Sequence, residues 1–191
     1  AAGGFHTLNA DTNIAALQGY TIRLYKELEE LSEQSCGLHH VGGITIAGDP
    51  ERLDYLKAQR AKHRHMGLDT HMIGPDEIRE ICPVISTEGV LGALYDPLDG
   101  HLDPAGTTNA YAIAARRGGA EIVLRNRVLE LNRKPDQSWD VVTEQGTVNA
   151  EYVVNAGGLW AREVGEMVGV YHPLMAMEHQ YLVTDDIPEV Y

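Results

Sequence analysis

Cysteine is scarce in this chain. Cys36 and Cys82 are the only two in 191 residues, and they do not form a C-x-x-C pair. Two thiols at that spacing suit a reducing compartment better than a disulfide framework. Basic residues are also few, 15 against 28 acidic, for a net charge of -13. Binding to a phosphate backbone needs clustered Lys and Arg, so a nucleic-acid partner is not expected. The basic clusters are Arg116-Arg117 and the stretch from Lys57 to Arg64, which helical spacing would scatter over a solvated face. No apolar run approaches the roughly 18 residues of a membrane span. The first residues carry neither a basic segment nor an apolar one, so no signal peptide is expected. The chain starts at Ala1 without Met, which leads us to expect further sequence upstream.

Several motifs are missing. There is no G-x-S-x-G, which removes the main support for hydrolase chemistry. There is no G-x-G-x-x-G phosphate loop either. No repeat or low-complexity tract is visible. His39-His40 and His63-x-His65 do not suggest metal: neighbours on a strand face opposite ways, and i,i+2 positions on a helix do not converge. No acidic or cysteine partner stands at ligand spacing, so no metal site is expected.

What is present reads as a folded protein with one substantial core or two small ones: hydrophobic residues make up 43% of the chain. Asp11 and Asn13 can cap a helix to about Glu33, with Ile14, Leu17, Ile22, Leu24, Leu28 and Leu31 apolar. Leu38 to Ala47 reads as a strand region interrupted by a bulge at Gly42-Gly43. Asp49-Pro50 opens a helix that ends near Met66-Gly67. A strand at Leu68 to Ile73, a short helix from Pro75 to Ile81 and a strand at Val90 to Tyr95 follow. Asp103-Pro104 opens a helix that runs to Arg117, where Gly118-Gly119 stops it. Glu121 to Leu124 reads as a strand, and Arg127 to Asn149 as a meander. Met175 to Thr184 reads as a last long strand. His101, between Asp99 and Asp103, reads as part of a turn and a capped helix rather than as chemistry.

The stretch that carries most information is Val153-Val154-Asn155-Ala156-Gly157-Gly158-Leu159-Trp160-Ala161. Tyr152 to Val154 favours a buried strand. Ala156, Gly157 and Gly158 make a turn without bulky side chains. From Leu159 the spacing of Leu159, Val164, Met167 and Val168 suits a helix. Strand, glycine turn and helix together bring main-chain N–H groups and a positive helix end toward a phosphate. The same sequence also serves where glycine is needed only to turn. Further on, Met177, His179, Tyr181 and Val183 would share one strand face. An imidazole there can take a proton near neutral pH, and a phenol can hold an amine or a carboxylate. Both would equally serve as ordinary half-buried strand residues.

Asn155-Ala-Gly-Gly-x-Trp-Ala resembles the second flavin-contacting motif of the D-amino-acid-oxidase-like FAD enzymes. Ala1-Ala2-Gly3, Gly100-His101-Leu102-Asp103-Pro104, His179-Gln180-Tyr181-Leu182-Val183-Thr184 and Ile187-Pro188-Glu189-Val190 extend the likeness almost end to end. Within that superfamily the chain resembles the dimethylglycine and sarcosine dehydrogenase family.

The resemblance implies an α/β fold with an α+β substrate part. Residues 1–35 and 101–170 would belong to a doubly wound FAD-binding domain that lacks its first strand and glycine loop. Residues 36–100 and 171–191 would belong to a mixed-sheet substrate domain. It implies FAD contacts from Val128 (through its backbone), Ala156, Gly157, Gly158 and Trp160, with Tyr181 and His179 catalytic. The histidine that carries a covalent flavin would lie upstream of Ala1. Implied too are an FAD-dependent oxidative N-demethylation of dimethylglycine or sarcosine by hydride transfer to flavin, an electron-transfer flavoprotein as acceptor, and tetrahydrofolate in longer members. The alternatives are a non-catalytic fragment that binds no cofactor, and an oxidase of the same fold that uses O₂. A cytoplasmic location is expected, with the mitochondrial matrix as the alternative.

Overall fold

Three of the four longer helices start where a short acceptor side chain precedes them. The computed structural model describes residues 3–7, 9, 11–180, 182, 183 and 185–188. Helix α1 spans Thr12–Ser32, capped by Asp11, whose carboxylate accepts from the Asn13 and Ile14 N–H groups. Helix α2 spans Pro50–His65, capped by Asp49. Helix α3 spans Pro75–Ile81, and Glu77 reaches back to the Gly74 N–H at 2.8 Å. Helix α4 spans Pro104–Arg117, capped by Asp103. Each such cap satisfies N–H groups that the helix itself leaves open, and is worth about 1 kcal/mol.

The described residues form two compact units, one drawn from 1–121 and 183–191, the other from 122–182. In the first unit, strands β2 (Gly43–Ala47), β3 (His71–Ile73) and β4 (Gly92–Asp96) make an antiparallel sheet with β4 in the centre. Adjacent residues of β4 face opposite ways. Leu94 joins Ala47 and, from α2, Leu56 on one face. Ala93 joins Ile73 and, from α3, Ile78 on the other. Leu56, Ile78 and Leu94 are completely buried, each contributing about 2–3 kcal/mol of apolar burial. Helices α1 and α4 pack separately, through Leu28, Cys36, Ala110 and Ala114. Arg117 ties their ends together by donating to the Leu31 carbonyl at 2.6 Å and to Glu33 at 3.1 Å. Strands β1 (Gly4–Phe5) and β5 (Gly100–His101) form a short two-stranded ladder.

The second unit is an antiparallel meander, β6 (Val128–Arg133), β7 (Trp139–Thr143) and β8 (Gly146–Ala150), followed by a 3₁₀ turn at Gly158–Trp160 and a short helix α5, Ala161–Glu166.

Several expected elements differ. Residues 121–124 and 152–154 join no sheet, and neither do the described residues between 175 and 183. Their β-branched and apolar composition gives an extended preference, but a strand exists only beside a partner, and none pairs with them among the described residues. Tyr152 and Val154, expected to be buried, are 85% and 86% exposed. The bulge expected at Gly42-Gly43 is instead the start of β2, with Gly42 at φ +79 and lying beneath Tyr95. On α1, Ile22 and Leu28 are buried as their spacing predicts, whereas Ile14, Leu17 and Leu31 are exposed. Both cysteines are free, Cys36 buried and Cys82 half-buried.

His63 of α2 is fully buried. Its Nδ1 lies 3.3 Å from the Thr70 hydroxyl, and its Nε2 meets no partner among the described residues. Burial lowers its pKa below the ordinary imidazole value, against a weaker opposing pull from Asp96. The folded protein therefore takes up this proton less readily than the unfolded chain. The resulting stability is complete above about pH 6.5 and is lost as pH falls through the folded-state value. We expect the thermal midpoint to drop between pH 7 and pH 5, and His63→Gln to flatten that slope. An unchanged slope in the variant would assign the acid sensitivity elsewhere.

Candidate active site

Asn155 organises the stretch that the sequence singles out. Its Oδ1 accepts from the Gly157 N–H at 3.1 Å, and its Nδ2 donates to the Ala161 carbonyl at 2.8 Å. One side chain thus joins the start of the turn to the start of α5. The Trp160 N–H donates to the Gly157 carbonyl at 3.0 Å and closes the 3₁₀ turn between them. The helical period expected from Leu159 begins two residues later, because the turn is wound more tightly first. Leu159 consequently points to solvent, 60% exposed.

The two glycines differ. A Cβ on Gly157 would stand 3.1 Å from Asn155 Oδ1 and 3.2 Å from the Ala161 backbone, so this glycine lets the chain close on itself. Gly158 has φ +54, a left-handed conformation, and a Cβ there would meet nothing within 4 Å among the described residues beyond its chain neighbours. The main chain at Gly158 is open to whatever approaches it. Ala156 precedes them, exposed.

Val128 and Trp160 line one cavity of about 550 Å³, together with Arg127, Glu163, Val164 and Met167. Most of that lining is apolar, with one charge of each sign from Arg127 and Glu163. Val128 belongs to β6, the strand at one edge of the meander. The Glu144 N–H donates to the Arg127 carbonyl at 3.1 Å. Successive residues of an antiparallel ladder direct their N–H and C=O groups to alternate sides. Val128 therefore turns its own N–H and C=O away from β7, toward the unpaired edge. A register shift follows directly, between Val128 and Glu130.

These features suit a dinucleotide such as FAD. The cavity offers apolar surface and a stackable indole, the Val128 edge offers one donor and one acceptor, and Gly158 allows close approach. Val128, Trp160 and the glycine turn fall within one unit. His179, in the same unit, is exposed, outside any strand, and does not line this cavity. Tyr181 lies outside the described residues. The sequence reading missed three contributors: Asn155, Arg127 and Glu163. Asn155 had a usable cue, since Asn before a glycine turn bonds readily to the backbone two residues on. Arg127 and Glu163 had none, because only the folded turn brings them to one cavity. His39, His40 and His101 are structural: His39 stacks on His101 with centroids 4.9 Å apart, and His40 sits edge-on to Phe5. Among the described residues, no helix is long and apolar enough to cross a membrane.

The sequence model of the FAD dependent oxidoreductase (DAO) family matches residues 1–191. Mitochondrial dimethylglycine dehydrogenase of Rattus norvegicus is 41% identical over 190 residues, covering 100% of this chain and 22% of that protein. Mitochondrial sarcosine dehydrogenase of Homo sapiens is 35% identical over 167 residues, covering 85% of this chain and 18% of that protein. The chain thus spans about a fifth of the length of these relatives. Among solved structures, L-proline dehydrogenase from P. horikoshii superposes with a TM-score of 0.81 at 25% identity, over 88% of this chain and 44% of that one. The mixed helix-and-sheet fold expected from the resemblance is therefore the one observed.

Proposed function

Because this chain belongs to the DAO family of FAD-dependent oxidoreductases, we propose that it is part of an N-methyl amine dehydrogenase acting on dimethylglycine or sarcosine. The observation that carries this reading is the 41% identity to a dimethylglycine dehydrogenase along the whole chain. Val128 would hold the cofactor through its outward N–H and C=O, Trp160 through its ring, and the Ala156-Gly157-Gly158 turn through its main chain. Asn155 keeps that turn closed. FAD, when bound, supplies the acceptor for a hydride from the substrate's N-methyl carbon.

The chain's own residues have two tasks toward the substrate. The amine must be neutral before its methyl carbon can give up hydride, and His179 is suited to receive that proton. The Tyr181 hydroxyl is suited to hold the amine or its carboxylate in place. Residues 1–35 and 101–170 would form the FAD-binding part, a division that the packing of α1 on α4 supports. Residues 36–100 and 171–191 would serve the substrate. Covalent flavin attachment upstream of Ala1, an electron-transfer flavoprotein as acceptor and tetrahydrofolate as acceptor of the one-carbon unit complete the proposal. The mitochondrial names of the relatives favour the matrix over the cytoplasm.

The test uses the full-length protein. A yellow preparation absorbing near ~450 nm, as oxidised flavins do, and bleached anaerobically by dimethylglycine or sarcosine would support the reading. A colourless protein would make it a non-catalytic member, and hydrogen peroxide release in air would make it an oxidase. Tyr181→Phe keeps the ring and removes only the hydroxyl. We expect it to slow flavin reduction at least about tenfold, roughly 1.4 kcal/mol of barrier. A wild-type rate in stopped flow would return Tyr181 to a packing role.

A further inference from the structure

Three segments of the first unit are knotted at one point, and the knot is built on two carboxylates. The segment Gly3–Thr7 runs along the turn 96–102. The Leu102 N–H donates to the Gly3 carbonyl at 2.9 Å, and β1 pairs with β5. At the far end Thr7 is fully buried and holds both acids at once. Its N–H donates to Asp99 Oδ1 at 2.9 Å, and its hydroxyl donates to Asp96 Oδ2. Asp96 is 2% exposed, and its other oxygen accepts from the Leu98 N–H at 2.9 Å. The third segment closes the knot: the Gly42 N–H donates to the Asp99 carbonyl, and the Asp99 side chain lies so close over Gly43 that a Cβ there would collide with Oδ2.

Two carboxylates that share one small residue in a sheltered place repel each other when both are ionised. Among the described residues, no Lys or Arg forms an ion pair with either. Among the described residues, the ionisable groups that act across the pair include histidines of the strap and of α2. His6 on the strap acts on Asp99, and His63 of α2 is coupled to Asp96. His40 contacts the turn through the Leu98 carbonyl at 3.1 Å, with His39 stacked on His101 beside it.

We propose that Thr7, Asp96 and Asp99 form a proton-sensitive clasp that fastens the Gly3–Thr7 segment to the 96–102 turn more tightly in mild acid than at neutral pH. Burial first, and then the neighbouring Asp96, push the Asp99 carboxyl up to about 6, against the Thr7 hydrogen bond and His6. Opening the clasp returns Asp99 to water and to an ordinary carboxylate value. The closed state thus binds the extra proton. Its advantage is full below the ordinary carboxylate range and is lost as pH rises through about 6. This direction is opposite to that of His63, so the two groups are separable.

Hydrogen exchange of the full-length protein tests it. Protection of the Phe5–Thr7 amides, corrected for intrinsic rates, should rise about tenfold from pH 7.5 to pH 5, while amides of β4 show no such rise. Asp99→Asn keeps an acceptor for Thr7 and removes the charge, so protection of the strap should become independent of pH. Carbon NMR of the wild-type Asp99 carboxyl gives a reading that needs no variant, with an expected midpoint near 6. A midpoint in the ordinary carboxylate range, or strap protection that is flat with pH in the wild type, would overturn the clasp. So would a pH-dependent strap in Asp99→Asn.

Discussion

Gly158→Ala should cost the protein its FAD while costing the fold little. The new methyl enters open space, since among the described residues, its chain neighbours aside, no atom lies within 4 Å of it. The penalty to folding is therefore confined to a left-handed backbone that alanine adopts reluctantly, about 1 kcal/mol. The space that the methyl fills is the space through which a ligand would reach the main chain. We expect bound flavin per folded full-length protein to fall at least about tenfold, roughly 1.4 kcal/mol of binding, with a thermal midpoint lowered by only a few degrees. Gly157→Ala should behave in the reverse order. Its methyl meets Asn155 Oδ1 and the Ala161 backbone at 3.1–3.2 Å. Such crowding forces the helix start to shift and costs about 1–3 kcal/mol. The expectation from sequence alone would treat the two glycines alike, as openings for the cofactor. The fold divides them, one for packing and one for access. Undiminished flavin in Gly158→Ala would remove the turn from the proposed cofactor site.

The local signals in the sequence were the most legible. Asp11, Asp49 and Asp103 mark helix starts because a short carboxylate reaches the next N–H groups regardless of what packs later. The glycine turn was legible for a similar reason, since φ +54 at Gly158 is a local demand. The strands expected at 121–124, at 152–154 and over the described residues between 175 and 183 do not form, because pairing is not local. Val153-Val154 reads as extended in any sheet, but only a neighbour's N–H and C=O groups make it a strand. Arg127 and Glu163 were illegible for the same reason: the cavity they share with Val128 and Trp160 is formed by residues more than thirty positions apart. The clasp was half legible. Asp99 reads as part of a turn, but nothing in the sequence brings Thr7 to it, or to Asp96 at the end of β4, across about ninety residues.

Leu94→Ala should produce the largest loss of stability in the first unit, about 3 kcal/mol. The residue sits on the central strand β4, completely buried, with Leu56 from α2 and Ala47 from β2 against it. Removing the side chain forfeits its burial and leaves a cavity that a three-stranded sheet braced by a helix can only partly close. The two faces of β4 then allow a sharper check. Ile78 packs on the opposite face with Ile73 and Ala93, and the two clusters have no residue in common. Combining Leu94→Ala with the milder Ile78→Val should give losses that add within about 0.5 kcal/mol. Combining it with Leu56→Ala should not, because both truncations open the same space and the second removes contacts already lost. Urea unfolding of the three single and two double variants measures these differences. Additivity for the Leu94 and Leu56 pair would mean that α2 does not brace the sheet through Leu56, and that β4 is held mainly by its ladders to β2 and β3.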